Sequence, residues 1–533
     1  MNTVLLVHNT GQFIWEKSEN LYVKGYLNDR NGKFYENKNL LDYFQGIETF
    51  TDFEERVKFA NGCFSVVFQS ESNFYAASDI IRSFPLFYGK INGEWVVSDD
   101  PEQILKLQNQ PKFNEIAGHE FLASGFVTGS ETLLTGLNQV QAGECLQFKD
   151  IEIKRKFYSS YRTSNPSHEE YKELSKICIK LINDTFSRLV QGLANRTVIV
   201  PLSGGFDSRL IAVMLKKLEY KNVICITYGR PDNPEIKISK KVAEILGFKW
   251  ICVDYSSELI EDFLNNQEFK NYFPFASKYV SMFYLQEYFA VRYLKEKKLI
   301  PDDSIFIPGH TGDFIGGRHL GKYSNLLDSE SIDAIAERIY TYFYCYLKKG
   351  RHKEEMLNRI EKSLEEKFSG ERDLAYSIQE DWELKEKLAK FIANSVTTYT
   401  FFGYDFRLPY WDHELVNFFK TLPLHMKINK FLYDDILRNE YFEPYGVNFE
   451  EELQASEKEL KRQILKDKIK RKLPQFLLRM FHSRQDNFFY YEITKELVND
   501  MARKGEKIRV FNNSYNSLII QWYLKEIQRG KGK

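Results

Sequence analysis

The sequence has few cysteines, no long apolar run and no excess of either charge. Six cysteines lie far apart among 533 residues, which fits neither a disulfide framework nor a zinc site and predicts a reducing, cytoplasmic location. No stretch approaches the length of a transmembrane helix, and the N-terminus lacks the basic leader of a signal peptide. The 74 basic residues balance the 74 acidic ones, so we expect no nucleic-acid partner.

The chain is too long for one ordinary core, and two or three domains are expected. Short alternating runs separated by turn residues, such as Cys63–Phe68 and Trp95–Ser98, indicate a β-rich first part. A polar stretch at Ser164–Ser167 precedes a helical pattern from Glu169 to Gly192. The predicted divisions are a β-rich domain over 1–150, a helical connection over 151–195, an α/β domain over 196–450 and a basic helical extension over 451–533.

After the connection, continuous apolar runs alternate with helical segments. Thr197–Leu202 leads into a glycine loop and a helix, and Val223–Tyr228 precedes a helical stretch over Pro234–Leu246. A third run, Trp250–Val253, follows directly. Strand, helix and strand in succession predict a parallel sheet, with long amphipathic helices after it to about Thr400.

The loop Ser203–Ser208, with the sequence SGGFDS, lies between the first apolar run and its helix. Ligands bind at this place in α/β folds, and a helix N-terminus favours phosphate. Both glycines can adopt positive φ and let backbone N–H groups approach phosphate oxygens. The loop lacks the lysine of a Walker loop, which favours a grip on pyrophosphate. The predicted ligands of ATP are Ser203, Gly204, Gly205, Asp207, Ser208 and, from the next loop, Gly309.

A second glycine-rich loop repeats this design. An apolar run beginning at Ile305 leads into Gly309–Gly317, which contains one acid, Asp313. We expect the two loops to face each other, with Asp207 and Asp313 holding Mg²⁺ from opposite sides of the triphosphate. Both aspartates are therefore predicted metal ligands and catalytic residues.

With both loops, the sequence resembles the asparagine synthetase family, which includes β-lactam synthetase-like members. The family's synthetase domain carries a Ser-Gly-Gly-x-Asp-Ser loop and a later Gly-x-Gly-Ser-Asp-x-x-x-Gly-Gly loop. Its Arg-x-Pro-Phe-Leu-Asp segment is similar to Arg407–Asp412, with Pro423 and Lys427 following. The resemblance implies that ATP and a carboxylate form an acyl adenylate, from which a nitrogen nucleophile displaces AMP.

The front of the chain resembles the family's glutaminase-type domain, in Asp79–Tyr88, Val97–Asp100 and Gly125–Glu144. The resemblance implies a two-domain fold. It predicts an N-terminal antiparallel β-sandwich of the Ntn amidotransferase type and a C-terminal parallel-sheet α/β ATP-pyrophosphatase (PP-loop) synthetase domain with many helices. Glutamine-using members place Cys after the initiator Met, whereas this chain has Asn2, so we expect no glutaminase chemistry.

A second departure is His310, where relatives carry a Glu or Tyr that helps to deprotonate the nucleophile. Histidine is a plausible general base, and a purely structural loop histidine is the alternative. The family's catalytic lysine has no assigned position, because the basic stretch from Glu457 to Arg484 offers many lysines and no matching context. That stretch is either a solvated helix face or a surface for acidic lipid or glycan.

The partners expected are a carboxylate substrate, from a small molecule, glycan or peptide, and a nitrogen donor. The donor is ammonia, an amine or a separate ammonia-supplying subunit, and a homo-oligomer stays open. An amidation or cyclisation enzyme in glycan, peptide or secondary-metabolite biosynthesis also stays open. The alternatives from other classes are a different PP-loop enzyme, such as a tRNA-modifying thiolase, and a catalytically silent relative. Scattered cysteines disfavour the first, and the retained Asp207 and Asp313 disfavour the second.

Overall fold

The structure is a computed structural model of the chain. It describes residues 3–9, 12–108, 111–149, 152–322, 330–347, 352–365, 373–449, 486–507 and 514–531. The basic stretch from Glu457 to Arg484 and residue Asn2 lie outside these ranges.

The strands are short and the helices dominate the second half of the chain. The strands are Thr3–Leu6 (β1), Glu16–Lys17 (β2), Leu21–Asn28 (β3), Phe34–Glu36 (β4), Asn61–Gln69 (β5), Phe74–Ser78 (β6), Phe87–Ile91 (β7), Glu94–Ser98 (β8), Asn138–Gln139 (β9), Glu144–Phe148 (β10), Ile153–Phe157 (β11), Val198–Pro201 (β12), Val223–Gly229 (β13), Lys249–Asp254 (β14), Ile305–Phe306 (β15) and Asp405–Phe406 (β16). The α-helices are Asn39–Tyr43 (α1), Phe50–Lys58 (α2), Pro101–Leu107 (α3), Glu115–Ser124 (α4), Tyr171–Gln191 (α5), Phe206–Lys217 (α6), Pro234–Leu246 (α7), Ser257–Ile260 (α8), Gln267–Ser277 (α9), Tyr288–Glu296 (α10), Gly312–Ile315 (α11), Ile332–Phe343 (α12), Lys353–Glu365 (α13), Ala375–Glu383 (α14), Thr397–Phe401 (α15), His413–Lys420 (α16), Leu424–Lys427 (α17), Phe431–Ile436 (α18), Tyr490–Arg503 (α19) and Tyr515–Lys531 (α20). Short 3₁₀ segments occur at Arg318–Lys322, Ala393–Val396, Pro409–Trp411 and Ile428–Lys430, and π-helical segments at Leu384–Ile392 and Leu437–Phe442.

The first part of the chain forms two sheets. One has the order β1-β8-β7-β9, and the other runs β11-β10-β6-β5-β3-β2 with β4 beside β3. Neighbours are antiparallel except for β1 and β8, which are parallel. Side chains from both sheets share one buried cluster, in which the rings of Tyr88 and Phe148 lie 5.6 Å apart. The predicted β-rich first part is confirmed, and its Ntn amidotransferase type stays a prediction.

The predicted parallel sheet is confirmed, with the order β14-β13-β12-β15-β16. The chain passes from β12 through α6 to β13, and through α7 to β14, as the alternating pattern requires. The fifth strand, β16, is only two residues long and carries no sequence signal of its own. It places Arg407–Asp412 beside the strand that leads into the second glycine loop.

The long helical region contains an irregular stretch close to that sheet. Helix α14 continues as the π-helical segment Leu384–Ile392 and the 3₁₀ segment Ala393–Val396 before α15 begins. Such changes of helical pitch occur often at functional sites. Sequence periodicity predicted helix here and did not reveal the change of pitch.

The two parts of the chain share a continuous hydrophobic core. The ring of Phe406 in β16 packs against Phe13 and Phe84 at centroid distances of 5.2 and 5.5 Å. The guanidinium of Arg407 donates to the Glu36 carboxylate at 2.7 Å. Because this core crosses the division placed near residue 195, the domain boundaries stay a prediction. Within the described ranges, every helix is too short or too polar to span a bilayer.

Candidate active site

The SGGFDS loop follows β12 at the carboxyl edge of the parallel sheet and opens helix α6. The hydroxyl of Ser208 accepts the backbone N–H of Ser203 at 3.1 Å, and that of Ser203 accepts the N–H of Gly205 at 3.1 Å. These bonds hold residues 203–205 in a tight turn that leads into the first turn of α6. The Arg209 guanidinium donates to the Gly204 carbonyl at 2.8 Å and so tethers the loop to helix α6.

Neither loop glycine uses the positive φ that glycine permits. Gly205 has a φ of −76°, and Gly204 is also absent from the described glycines with positive φ. A Cβ on Gly204 would lie 3.3 Å from the Ile238 side chain, and one on Gly205 would lie 3.3 Å from Ser203 Oγ. The loop therefore needs glycine for close approach and not for a left-handed backbone.

The two glycine loops contact each other, as predicted. A Cβ on Gly309 would lie 2.6 Å from the backbone nitrogen of Ser208, and one on Gly312 would lie 2.4 Å from Asp207 Cγ. The backbone N–H of Asp313 donates to the Asp207 carboxylate at 2.7 Å. No side chain fits at positions 309 and 312, because the first loop already occupies that space.

Asp207 and Asp313 both lie close to Lys430, which carries no distinguishing pattern in the sequence. Lys430 Nζ lies 2.6 Å from Asp313 and 3.8 Å from Asp207, and Arg318 also pairs with Asp313 at 2.8 Å. Burial raises the pKa of Asp207 to about 7. Burial acts in the same direction on Asp313, but Lys430 and Arg318 outweigh it and lower the pKa of that carboxyl.

Lys430 is held in a strained conformation. Its φ is 63° and that of Asn429 is 58°, in the left-handed region that non-glycine residues seldom occupy. Asp434 lies 3.1 Å from the ammonium on the far side. By contrast, the family landmark Lys427 packs against Gly317, and its buried ammonium pairs with Glu380 at 2.7 Å. Lys430 had no distinguishing sequence signal, since its position depends on the turn before α18.

The two aspartates offer oxygen ligands, which is the donor chemistry that Mg²⁺ prefers. The Asp207 side chain is 14% exposed and that of Asp313 is 43% exposed, so both reach the loop surface. Across the described ranges, no group of three or more His, Cys, Asp or Glu side chains is arranged to hold a metal ion. The residues fit an ion whose remaining ligands come from phosphate oxygens and water.

His310 sits in the second loop beside the irregular helical stretch. Its Nδ1 lies 3.1 Å from Ser395 Oγ, and its Nε2 lies 3.6 Å from Glu287 Oε1. The next residue, Thr311, has a φ of 75°, which is rare for a β-branched residue. The loop therefore has a strained backbone next to the imidazole, which lies between Ser395 and Glu287.

Glu287 is buried just before α10. Its carboxylate accepts a hydrogen bond from the Tyr228 hydroxyl at 2.9 Å and another from the Tyr399 hydroxyl. Burial opposes ionisation, but the nearby imidazole of His310 and the hydrogen bonds from Tyr399 and Tyr228 lower the pKa of Glu287. Neither Glu287 nor Ser395 stood out in the sequence, because their elements meet His310 only in the folded chain.

The structure therefore brings together the first loop, Gly309, His310 and Asp313. It adds three polar groups at the same sheet edge: Lys430, Glu287 and Ser395. The predicted roles of these residues in binding and catalysis stay proposals.

Several solved structures are similar to parts of this chain. The NH3-dependent NAD synthetase from Campylobacter jejuni subsp. jejuni NCTC 11168, in complex with the nitrate ion, shares 13% identity at a TM-score of 0.19, over 30% of this chain and 62% of that one. NMN synthetase from Francisella tularensis shares 15% identity at a TM-score of 0.21, over 42% of this chain and 96% of that one. Glutamine phosphoribosylpyrophosphate amidotransferase from B. subtilis, complexed with ADP and GMP, shares 10% identity at a TM-score of 0.18, over 56% of this chain and 64% of that one. The chain thus spans less than two thirds of the first of these and of the third.

The family model described as asparagine synthase matches residues 182–289. The matched segment contains β12, the SGGFDS loop and α6, and it ends two residues after Glu287. The second loop and Lys430 lie beyond it. Over this segment, about a fifth of the chain, the sequence is similar to the asparagine synthase family.

Proposed function

We propose that the chain adenylates a substrate carboxylate with ATP, releases pyrophosphate, and transfers the acyl group to a nitrogen nucleophile. The observation that carries this proposal is the 2.7 Å hydrogen bond from the Asp313 N–H to the Asp207 carboxylate. It joins two glycine loops at the carboxyl ends of neighbouring parallel strands, β12 and β15. A single nucleoside triphosphate can contact both loops at this edge of the sheet.

The first loop provides the phosphate contacts. The N-terminal turn of α6 favours negative charge, and the hydroxyls of Ser203 and Ser208 lie 3.1 Å apart beside it. Lys430 and Arg318 add two cations at Asp313. We expect these groups to neutralise the charge that develops as pyrophosphate departs. Bound Mg²⁺, with Asp207 and Asp313 among its ligands, would supply further charge stabilisation.

The hydrogen bonds around His310 favour one tautomer. The Ser395 hydroxyl donates its only hydrogen to the Ile392 carbonyl at 2.6 Å, so its oxygen accepts from Nδ1–H of His310. The neutral imidazole then has its free lone pair on Nε2. We propose that Nε2 takes the proton from the attacking nitrogen and that Glu287, 3.6 Å away, stabilises the imidazolium.

The substrate is a carboxylate from a small molecule, glycan or peptide, with ammonia or an amine as nitrogen donor. Because Asn2 cannot replace a catalytic thiol, we propose that the N-terminal part does not hydrolyse glutamine and that nitrogen arrives free or from a partner. The cytoplasm remains the expected location. Tyr284, whose ring centroid lies 6.3 Å from that of His310, contributes an aromatic wall beside the proposed base.

The test is a screen for pyrophosphate release over a panel of carboxylates with ATP and Mg²⁺. Each carboxylate is assayed alone and then with ammonia or with primary amines. Release that depends on one carboxylate, with AMP as the second product, supports the proposal. ADP and phosphate as products would contradict the adenylation chemistry.

A further inference from the structure

A polar cleft lies away from the active site, between the first sheets and helix α16. It has a volume of about 370 Å³, within the range of small-molecule sites. One wall carries Arg30 and Lys58, and the opposite wall carries His413 and Lys420. No part of the proposed reaction uses this cleft.

The cleft is rich in positive charge. Its lining contains the cations Arg30, Lys58, Arg188 and Lys420 against the carboxylates Asp29 and Glu414, and with Asp412, which also pairs with Arg188, the excess is one. Arg188 is neutralised by Glu414 at 2.8 Å and by Asp412 at 2.8 Å. The Asp29 carboxylate accepts the N–H groups of Asn31 and Lys33, both at 2.9 Å. Among the described residues, no carboxylate oxygen lies within 4.0 Å of the charged groups of Arg30, Lys58 or Lys420.

These unpaired cations are partly fixed in place. The guanidinium of Arg30 stacks 3.1 Å from the ring centroid of Phe59, and Lys58 Nζ lies 5.7 Å from the same ring. Lys420 is half-buried and donates to the Ser160 carbonyl at 3.5 Å. His413 also lines the cleft, and its Nε2 is buried without a hydrogen-bond partner in the described part of the chain. A preorganised set of donors around a cleft is what an oxyanion requires.

We propose that this cleft binds a small oxyanion with two negative charges, of the phosphate or dicarboxylate class. The anion pairs with the three cations that lack a carboxylate partner, bridging Arg30 and Lys58 on one wall to Lys420 on the other. The helix that carries Lys420 begins after Tyr410, whose hydroxyl donates to the Asp207 carbonyl at 2.6 Å. An anion in the cleft therefore stabilises the segment that supports the first glycine loop.

The experiment titrates inorganic phosphate and malonate into the full-length chain by calorimetry at fixed ionic strength. Removing one charged donor, by Lys420→Met or by Arg30→Met, should weaken binding by about tenfold. Lys221→Met, at an exposed lysine away from the cleft, is the matched control and should leave binding unchanged. Arg30→Met decides the matter if Lys420→Met disturbs α16, because Arg30 lies on an exposed turn.

Lysine acetylation with mass spectrometry locates the anion. Phosphate or malonate should protect Lys58 and Lys420 and leave Lys221 reactive. Binding that Ser203→Ala weakens and the two cleft variants do not would assign the anion to the nucleotide loop and overturn the proposal. Absence of binding by both anions, or of protection at Lys58 and Lys420, would also overturn it.

Discussion

Glu287 Oε1 lies 3.6 Å from His310 Nε2, so the imidazole in the second glycine loop faces a buried carboxylate. That carboxylate has two tyrosine hydroxyl donors of its own. A buried acid with fixed donors stabilises positive charge on a neighbouring imidazole without moving. The pair should therefore act in amide formation and not in adenylation, since only amide formation creates an imidazolium in the proposed reaction.

The replacement of His310 tests this separation. For His310→Ala we expect near-normal exchange of pyrophosphate into ATP, because adenylation needs no base at this position. Amide formation should slow by about 10²- to 10⁴-fold, as for a lost general base. Equal losses in both half-reactions would assign His310 to structure or nucleotide binding, and His168→Ala is the exposed control.

Glu287→Gln keeps the shape of the side chain and removes its charge. We expect slower amide formation, by about tenfold or more, because the imidazolium loses its charged partner. Adenylation should change little. Glu258→Gln, at an exposed position, is the control. An unchanged rate of amide formation in Glu287→Gln would remove Glu287 from the mechanism.

The two loop aspartates should be essential for adenylation. Asp207→Ala and Asp313→Ala should each lower carboxylate-dependent pyrophosphate release by at least about a hundredfold, because each removes a metal ligand from the departing pyrophosphate. Asp184→Ala on α5 is the control. A variant that kept more than about a third of the wild-type rate would show that its aspartate is not a required ligand.

Burial of Asp207 should also affect stability. The pKa of this carboxyl is raised from 3.8 to about 7, so between these values the folded chain keeps a proton that the unfolded chain has lost. The free energy of unfolding contributed by Asp207 therefore falls as pH rises through this range. Asp207→Asn should raise the melting temperature relative to the wild type above pH 7 and lose that advantage towards pH 4. Thermal unfolding in EDTA measures it, and a gain that grew towards low pH would contradict the assignment.

The isolated protein should not hydrolyse glutamine. Asn2 offers no nucleophile, and deamidation to Asp would still supply no thiolate. The measurement is glutamate release from glutamine. Turnover that persists after rigorous removal of contaminating enzymes would require a different nucleophile.

The sequence by itself determined the local features of this protein. Apolar runs followed by glycine loops predicted β12, α6 and the parallel sheet, because strand burial and helix starts depend on neighbouring residues. The SGGFDS loop and Asp313 were identified for the same reason. The contact between the two loops also followed, since parallel strands end at one edge of a sheet.

Only the tertiary structure decided the surroundings of these residues. Glu287, Ser395 and Lys430 reach the loops from distant elements, and no local pattern encodes which polar side chain a fold brings to a site. Gly204 and Gly205 do not adopt positive φ, and their surroundings are crowded by side chains of other residues, Ile238 and Ser203. Gly309 and Gly312 are likewise required by the packing of one loop on the other. Local sequence fixes backbone preferences, whereas close approach between segments depends on how the whole chain folds.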